Sequence, residues 1–322
     1  MTMLVPVSRT ARRLGLVAAV GVLTAVAALA PAPAASAAPV TTVNCSTANL
    51  QTAIDNAASG ATLNLTGTCN GNYTINTNLT LVGQGRGTVL NGQGAGTTLT
   101  VGSGATVVLN NLTVTGGNAG TNGNGGGINN SGTLTLLFDN VTDNSAGNSG
   151  GGIYNGAGLT LMQTGVSGNS GGVFGGGIYN NDAMSVDASS VSGNTAVFGG
   201  GGIFTGFGFA AVTLTHSTVT GNSATSGSGG GIFNILDSET LSHTTVSGNT
   251  ASLEGGGIND NAGTTALDHS YVTGNTATLG EGGSFGGGVF TFSGVVSLNA
   301  SYVSGNTPDN CDPSGTVTGC TG

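Results

Sequence analysis

Aliphatic residues recur along most of this 322-residue chain in a fixed order. One set follows a Gly-Gly pair: Ile128, Ile153, Ile178, Ile203, Ile232, Ile258 and Val289. A second set is Leu109, Leu136, Leu161, Val186, Leu214, Leu241, Leu267 and Leu298, with a valine five residues after each member. Asn follows three residues after nearly every such valine. The apolar segments are short and lack a 3.6-residue period, so the pattern predicts an all-β protein.

Strands this short bury an apolar face only when they stack on identical neighbours. A coil of about 25 residues that rises ~4.8 Å per turn is a parallel β-helix, in which like residues form ladders through the core. The leucine-to-asparagine stretch keeps a constant length, whereas the chain on either side of the Gly-Gly-Ile strand varies. The sequence therefore predicts about ten coils, with loops beside that strand.

The two ends of the chain differ from the repeats. Residues 1–37 have a basic start, an apolar stretch at 14–29 and a small-residue cleavage site ending at Ala37, which is typical of a secretion signal. We expect a cap helix and irregular first coils in 38–108, regular repeats in 109–307 and a disulfide cap in 308–322. The expected location is extracellular or cell-wall associated, without membrane insertion after the signal is removed.

A short helix is predicted at 46–59, just before the first coil. Ser46 or Thr47 would cap it, and one face would carry Leu50, Ala53, Ile54 and Ala57. The four cysteines lie near the two ends, which in an exported chain predicts the local disulfides Cys45–Cys69 and Cys311–Cys320.

Charge narrows the range of partners. The signal holds three of the four basic residues, so the exported chain would keep Arg86 and 13 acidic residues, a net charge of 1 − 13 = −12. A surface without a basic patch has nothing to neutralise phosphates, which excludes nucleic acid and anionic membranes, and acidic polysaccharides would be repelled. We expect a monomer whose partner is a neutral polysaccharide or a cell-surface component.

Aromatic residues directly follow the Gly-Gly-Ile aliphatic in four consecutive repeats: Tyr154, Tyr179, Phe204 and Phe233. If the isoleucines point inward, strand alternation points these rings outward, where they would form a strip for stacking against sugar rings. The alternative is a stack of rings inside the core. The loop 205–213 beside this column adds Phe207 and Phe209.

All three histidines occupy one repeat position, two residues after the ladder leucine: His216, His243 and His269. Successive coils would place them ~5 Å apart, where they and Asp268 are candidate ligands for a divalent metal. The alternative is that histidine only fills a turn position held elsewhere by Asn111, Gln163 and Ala188. No other cofactor is indicated.

Carboxylates offer candidate acid–base pairs, because glycosidases use two carboxyl groups at a defined separation. Two pairs are close in sequence: Asp182 with Asp187, and Asp237 with Glu239. Neither pair aligns with the repeat as a dedicated acid–base pair, and acidic residues on a surface are usually only solvated.

The phrase Gly-Gly-Gly-Ile-Tyr-Asn at 175–180, followed by Val-Ser-Gly-Asn-Thr-Ala at 191–196, resembles repeats of the right-handed parallel β-helix superfamily. It is especially similar to polymorphic outer-membrane protein type repeats and their secreted relatives, over roughly residues 110–310. The resemblance implies a right-handed, single-stranded β-helix. It leaves function open, since the superfamily includes lyases, hydrolases, epimerases and non-catalytic adhesins.

The departures from the enzymes of that superfamily lower the expectation of catalysis. Pectate-type lyases use a basic residue beside calcium ligands, and Arg86 lies in the early turns; the Gly-His element of polygalacturonase-type hydrolases is absent. We therefore expect a non-catalytic, adhesin-like protein that binds polysaccharide or a surface partner. The alternatives are a polysaccharide lyase, hydrolase or epimerase, and a purely structural surface protein.

Overall fold

The computed structural model describes residues 39–85, 87–208, 210–278, 285–313 and 317–320, which form an all-β parallel solenoid of about ten coils. The predicted signal segment and Arg86 lie outside these residues. Within them, no helix has the length and apolarity needed to cross a membrane.

Each coil contributes one strand to each of three long sheets, in which neighbouring strands pair in parallel. Sheet A contains the strands Val40–Asn44, Ala61–Thr66, Leu79–Gly83, Thr106–Asn110, Thr133–Leu137, Leu159–Met162, Met184–Asp187, Ala211–Thr215, Ser238–Ser242, Thr264–Asp268 and Val295–Asn299. Sheet B contains Thr68–Asn70, Val89–Asn91, Thr113–Thr115, Asn140–Thr142, Gly165–Ser167, Ser190–Ser192, Thr218–Thr220, Thr245–Ser247, Tyr271–Thr273 and Tyr302–Ser304.

Sheet C is built from the Gly-Gly-Ile strands and their equivalents. Its strands are Tyr73–Ile75, Leu99–Val101, Ile128–Asn130, Ile153–Asn155, Ile178–Asn180, Ile203–Gly206, Ile232–Ile235, Ile258–Asn261, Val289–Phe292 and Cys311–Asp312. A short sheet D, which the sequence did not predict, pairs the two-residue strands Ser145–Ala146, Ser170–Gly171, Thr195–Ala196, Ser223–Ala224, Thr250–Ala251 and Thr276–Ala277. The early coils join the same sheets as the regular repeats.

The predicted aliphatic ladders form the core. The isoleucines of sheet C pair with one another, as do the leucines of sheet A and the valines of sheet B, and most are fully buried. Stacking like on like removes each coil's apolar face from water without needing a helix layer.

A second, polar ladder lies at the corner that follows sheet B. It consists of Asn144, Asn169, Asn194, Asn222, Asn249, Asn275 and Asn306. From Asn169 onward, each amide oxygen accepts from the backbone N–H and the Nδ2 of the preceding asparagine, whereas the Asn144 oxygen accepts from Gly117 N–H. Each Nδ2 also donates to a valine carbonyl of the preceding coil. The ladder thereby satisfies backbone groups that the corner would otherwise leave buried and unpaired.

The N-terminal cap is shorter than predicted. The helix spans Leu50–Asp55, and Asn49, not Ser46 or Thr47, caps it by accepting from the Thr52 N–H at 3.1 Å. Ser46 instead belongs to a preceding turn, in which its N–H binds the Asn44 side chain. The predicted inward face is confirmed for Leu50 and Ile54, which are buried.

Both predicted disulfides are present. Cys45 is bonded to Cys69 beside the cap helix, and Cys311 is bonded to Cys320 at the other end. Each disulfide joins a terminal segment to a strand of the solenoid. Cys69 lies in a strand of sheet B, and Cys311 lies in a strand of sheet C.

Candidate functional site

The four aromatic residues predicted to bind a ligand lie on the outer face of sheet C. Tyr154, Tyr179, Phe204 and Phe233 pair in register as one column. The isoleucine that precedes each ring is fully buried. Since side chains alternate across a strand, the rings point away from the core, which decides between the two orientations left open by the sequence.

These rings stack on one another instead of forming an open strip. The centroids of Tyr154 and Tyr179 are 4.9 Å apart at 4°, and those of Tyr179 and Phe204 are 5.0 Å apart at 9°. Phe233 meets Phe204 edge-on at 5.6 Å. Phe204 is fully buried and cannot touch a ligand in this conformation, whereas the other three rings are partly exposed.

Further phenylalanines cover Phe204 and create a different surface. We call Phe174, Phe198, Phe204, Phe207 and Phe233 the aromatic patch. The Phe174 ring lies 4.6 Å from Phe204, 6.5 Å from Phe198 and 6.5 Å from Phe233, and Phe207 lies 6.1 Å from Phe204. Phe198 and Phe207 are 52% and 57% exposed. Phe204 thus acts as the buried support for rings that solvent reaches.

Two different turns supply the exposed rings. Phe174 and Phe198 precede glycine-rich segments that enter sheet C, whereas Phe207 follows a sheet C strand in a left-handed conformation, with φ 66°. The sequence places Phe207 in a loop beside the column but does not assign it to a site, and Phe209 lies outside the described residues. The available signal for the others was the repeated Val-Phe pair at 173–174 and 197–198, directly before each glycine run.

The loop that carries Phe207 is anchored to the next coil. The Phe207 N–H donates to the Ile235 carbonyl at 3.3 Å, and the Ala210 N–H donates to Asp237 Oδ1 at 3.0 Å. Ser238 N–H returns a bond to the Ala210 carbonyl at 3.0 Å. The position of the Phe207 ring therefore depends on the corner at Asp237.

The three histidines form the predicted ladder at the corner between sheets A and B. His216 and His243, and His243 and His269, have ring centroids 5.1 Å apart. Asp268 is bonded to His269 Nδ1 at 3.0 Å, and the Asn299 amide and His269 hold the pKa of the Asp268 carboxyl below its usual range. Among the described residues, no group of three His, Cys, Asp or Glu is arranged to hold a metal ion.

All three histidines have a left-handed backbone, with φ of 48–51°. Asn111, Gln163 and Ala188 adopt the same conformation at the same corner. This shared geometry favours the turn interpretation, in which histidine fills a tight corner, over a metal centre.

Two of the candidate catalytic carboxyls lie on the surface. Asp182 is exposed and accepts from the Ala183 N–H, whereas Asp187 lies 3.8 Å from His216 Nδ1. His216 also lines an open groove of about 420 Å³. The other side chains of that groove belong to Asn140, Gln163, Thr164, Ala188, Ser189, Ser190 and Thr218.

The other two candidate carboxyls are inside the solenoid. Asp237 and Glu239 are each 1% exposed, and Asp260 is fully buried with them. The four predicted catalytic residues are therefore not brought together, and a surface-bound polysaccharide does not reach Asp237 or Glu239. The sequence carried a signal for this: Glu239 stands two residues before the ladder residue Leu241, where Leu134, Leu159, Met184 and Val212 stand in other coils.

Burial governs the electrostatics of these acids. It raises the pKa of Glu239 to about 8, with smaller contributions from the neighbouring Asp260 and Asp237. Burial also raises the pKa of Asp260, although bonds from Thr265, Gly263 and Asn234 oppose that rise. The Thr265 hydroxyl, which lies close to both acids, donates to Asp260 Oδ2 at 2.6 Å, and this leaves both Glu239 oxygens without a hydrogen-bond partner of good geometry.

No family model matches the chain, and no curated protein matches it. Among solved structures, the crystal structure of pectate lyase Pel9A is similar, with a TM-score of 0.51 and 13% identity over 85% of this chain and 78% of that one. A likeness at this identity shows a shared β-helix fold, and the chain is accordingly a parallel β-solenoid protein.

Proposed function

We propose that this protein is a secreted, non-catalytic binding module that retains neutral polysaccharide on the aromatic patch. The observation that carries the proposal is the exposure of Phe198 and Phe207, both more than half exposed. Phe207 packs on the buried Phe204 directly, and Phe198 packs on Phe174, which itself contacts Phe204. Exposed aromatic rings on a rigid base bind the C–H faces of sugars with little loss of side-chain freedom.

The charge of the chain supports a neutral ligand. The described residues contain no Lys or Arg, while burial removes Asp237, Glu239 and Asp260 from the surface. A surface of this kind neither attracts polyanions nor concentrates polycations through a strong acidic field. Neutral glycans, whose recognition depends on stacking and hydroxyl bonds, fit it best, and no cofactor is required.

The expected location and assembly complete the proposal. The signal-like segment 1–37 and two disulfides support export to an oxidising compartment. The resemblance of the repeats to polymorphic outer-membrane protein repeats favours a monomeric, adhesin-like role at the cell surface. Of the four-ring column on sheet C, Phe204 and Phe233 belong to the patch, and Tyr154 and Tyr179 continue the stack from Phe204.

A second candidate function is a polysaccharide-active enzyme, lyase or hydrolase, at the corner groove. The observation that favours it is the approach of Asp187 to His216 at 3.8 Å beside open, polar lining residues. This arrangement supplies one carboxylate and one base. None of the described residues that line the groove carries a carboxyl group, which makes this the weaker candidate.

Polysaccharide retention and turnover are measured in the same tubes. The disulfide-intact protein is incubated with a panel of insoluble neutral polysaccharides, and both the protein left in solution and newly formed chain ends are assayed. Phe198→Ala and Phe207→Ala are each expected to weaken retention about tenfold, as is usual for an aromatic anchor. Phe292→Ala is the matched control, since Phe292 is 64% exposed but contacts no ring among the described residues.

Equal retention by the Phe198, Phe207 and Phe292 variants would refute the patch as the binding surface. New chain ends that vanish in Asp187→Asn would establish the enzymatic candidate instead. If the panel shows neither retention nor turnover, a purely structural surface protein becomes the better interpretation.

A further inference from the structure

Two exposed tyrosines lie side by side on the outer face of sheet B, on the last two strands of that sheet. Tyr271 and Tyr302 pair in register, and their ring centroids are 5.7 Å apart with an interplanar angle of 15°. The valines that follow them, Val272 and Val303, are buried, so strand alternation directs both rings away from the core. Tyr271 is 51% and Tyr302 is 62% exposed. The pair therefore presents a continuous aromatic surface to solvent.

Packing alone does not account for this pair. Aromatic neighbours on adjacent strands do stabilise a sheet. The same column, however, carries Thr218 and Thr245 in the two preceding coils, where a β-branched residue suits a strand equally well. Two large rings that remain more than half in water leave apolar surface that folding does not bury. Contiguous exposed surface of this kind is typical of a binding site.

The position of Tyr302 leaves its ring open on one side. In the described part of the chain, Tyr302–Ser304 is the last strand of sheet B, so Tyr271 stacks beside one face of the Tyr302 ring and no further strand of that sheet covers the other. Phe204 on sheet C differs in this respect, because Phe174 and Phe207 pack on it. A flat ligand can therefore stack on Tyr302 without displacing a side chain.

A hydrogen-bonding group borders the tyrosines at the corner between sheets A and B. The exposed His269 lies two residues before Tyr271, separated from it by the buried Ser270. Its Nδ1 is 3.0 Å from Asp268 Oδ1, which also accepts from the Asn299 amide, and these contacts lower the pKa of Asp268. Because an ionised carboxylate only accepts, neutral His269 carries its proton on Nδ1 and presents Nε2 as an acceptor. Nε2 has no hydrogen-bond partner among the described residues.

The chemistry of this surface favours one kind of occupant. No Lys or Arg occurs among the described residues, so nothing here attracts a phosphate or a polyanion. The acid at the border, Asp268, is already held by Asn299 and His269. Aromatic rings for C–H faces, with an acceptor for a hydroxyl at their edge, are the groups that a neutral sugar requires.

We propose that Tyr271, Tyr302 and His269 form a second saccharide site, which binds a neutral sugar by stacking on the tyrosine pair and by accepting a sugar hydroxyl at His269 Nε2. The site lies on sheet B, whereas the ring column of the aromatic patch lies on sheet C, and the two share no residue. It goes beyond the proposed function, because it is a separate surface whose binding does not depend on the patch.

A tryptophan at position 302 reports on the site directly. The chain has no tryptophan, so Tyr302→Trp keeps an aromatic ring and provides a single fluorophore. The disulfide-intact protein, which also carries Phe198→Ala and Phe207→Ala to remove the patch, is titrated with soluble neutral oligosaccharides of glucose, xylose, mannose and N-acetylglucosamine. Phe138→Trp in the same background is the control, since Phe138 is 55% exposed at the same corner in an earlier coil.

We expect a saturable change in the Tyr302→Trp emission with at least one of these sugars, and none at Phe138→Trp. Tyr271→Thr, which repeats the residue at Thr245, should weaken binding about tenfold, as is usual for an aromatic anchor. His269→Ala should weaken it severalfold through loss of one hydrogen bond. The corner accepts this substitution, because Ala188 adopts the same left-handed conformation there.

A flat Tyr302→Trp titration across the panel, an equal response at Phe138→Trp, or binding unchanged by Tyr271→Thr would overturn the proposal. If Tyr271→Thr lowers the midpoint of unfolding and leaves the titration unchanged, the pair is structural only. The two proposals fail separately. Sugar binding at Tyr302→Trp, with polysaccharide retention unaffected by Phe198→Ala and Phe207→Ala, would count against the aromatic patch alone. A flat titration together with loss of retention in those two variants would count against the second site alone.

Discussion

Truncation of one asparagine in the buried ladder tests how the coils are held together. The Asn194 side chain takes part in four hydrogen bonds. Its Nδ2 donates to the Val166 carbonyl and to Asn222 Oδ1, each at 3.0 Å. Its Oδ1 accepts from Asn169 N–H at 2.9 Å and from Asn169 Nδ2 at 3.0 Å. Asn194→Ala removes all four.

The magnitude follows from the groups that are left without partners. Asn169 Nδ2 keeps its bond to the Val141 carbonyl, and Asn222 Oδ1 keeps the bond from Asn194 N–H. The Asn169 N–H and the Val166 carbonyl lose the bonds from this side chain in a buried corner. A buried polar group left unpaired costs roughly 1–3 kcal/mol, so Asn194→Ala should lower the free energy of unfolding by about 4 kcal/mol in total.

Guanidinium unfolding followed by far-UV circular dichroism measures this loss. The control is Asn129→Ala, because Asn129 lies on the outer face of sheet C and makes no side-chain hydrogen bond with the described residues. We expect the control to change the midpoint little. A loss below about 1 kcal/mol for Asn194→Ala, with an unchanged slope, would refute the ladder as a main source of cohesion. A lowered slope would instead show that coils on either side unfold separately, as stacked repeats can.

Other substitutions test the buried acids and the N-terminal cap. Burial raises the pKa of Asp139 to about 7 against the opposing backbone bonds from Leu112 and Leu137, so its contribution to stability is lost as pH rises from about 4 to 7. Asp139→Asn keeps an acceptor for only one of those two N–H groups, but its stability relative to the parent should rise by about 2–4 kcal/mol between pH 4 and pH 8 in denaturant titrations. Glu239→Met should raise the free energy of unfolding by about 3–5 kcal/mol at pH 9, from the displaced pKa, and much less at pH 4.5; no gain at pH 9 would contradict the assignment of a neutral, buried Glu239. Replacing Cys45 and Cys69 by serine removes a disulfide between residues 24 positions apart, and should lower the free energy of unfolding by about 3 kcal/mol in thermal or chemical denaturation. Unchanged stability would mean that the cap helix packs on the first coil without help from the disulfide.

The ladders could be predicted from the sequence because they depend on repetition alone. Equal spacing places the isoleucines, valines and asparagines in columns, and the structure pairs them residue by residue. The disulfides were predictable for a related reason, since the cysteines cluster near opposite ends of an elongated stack. The short cap helix was less predictable, because several polar residues before Leu50 can cap a helix. Only the turn formed around Asn44 shows that Asn49 is the one used.

The alignment of the aromatic column could be predicted from the sequence, but the exposure of its rings could not. Alternation along the strand correctly indicates that Phe204 points outward, yet exposure depends on what lies above the sheet. Phe207 comes from a turn whose length has no counterpart in other coils, and the Val-Phe pair before the glycine run, which carries Phe174 and Phe198, occurs in only two coils, so repetition does not give the direction of these rings. Phe174 and Phe207 pack on Phe204 and cover apolar surface that a lone outward ring would expose, and Phe198 packs on Phe174.

Glu239 departs from the aliphatic pattern of its ladder in sheet A at a cost in stability. Met184 and Val212 show that aliphatic residues fit the same column, and an aliphatic residue would bury no unpartnered oxygen. A buried acid without a hydrogen-bond partner lowers stability wherever it ionises. Departures from an otherwise consistent pattern tend to occur where function requires them. Here the departure lies in the coil that carries Phe233 and anchors the Phe207 loop, so the buried Glu239 and the exposed aromatic surface share one level of the solenoid.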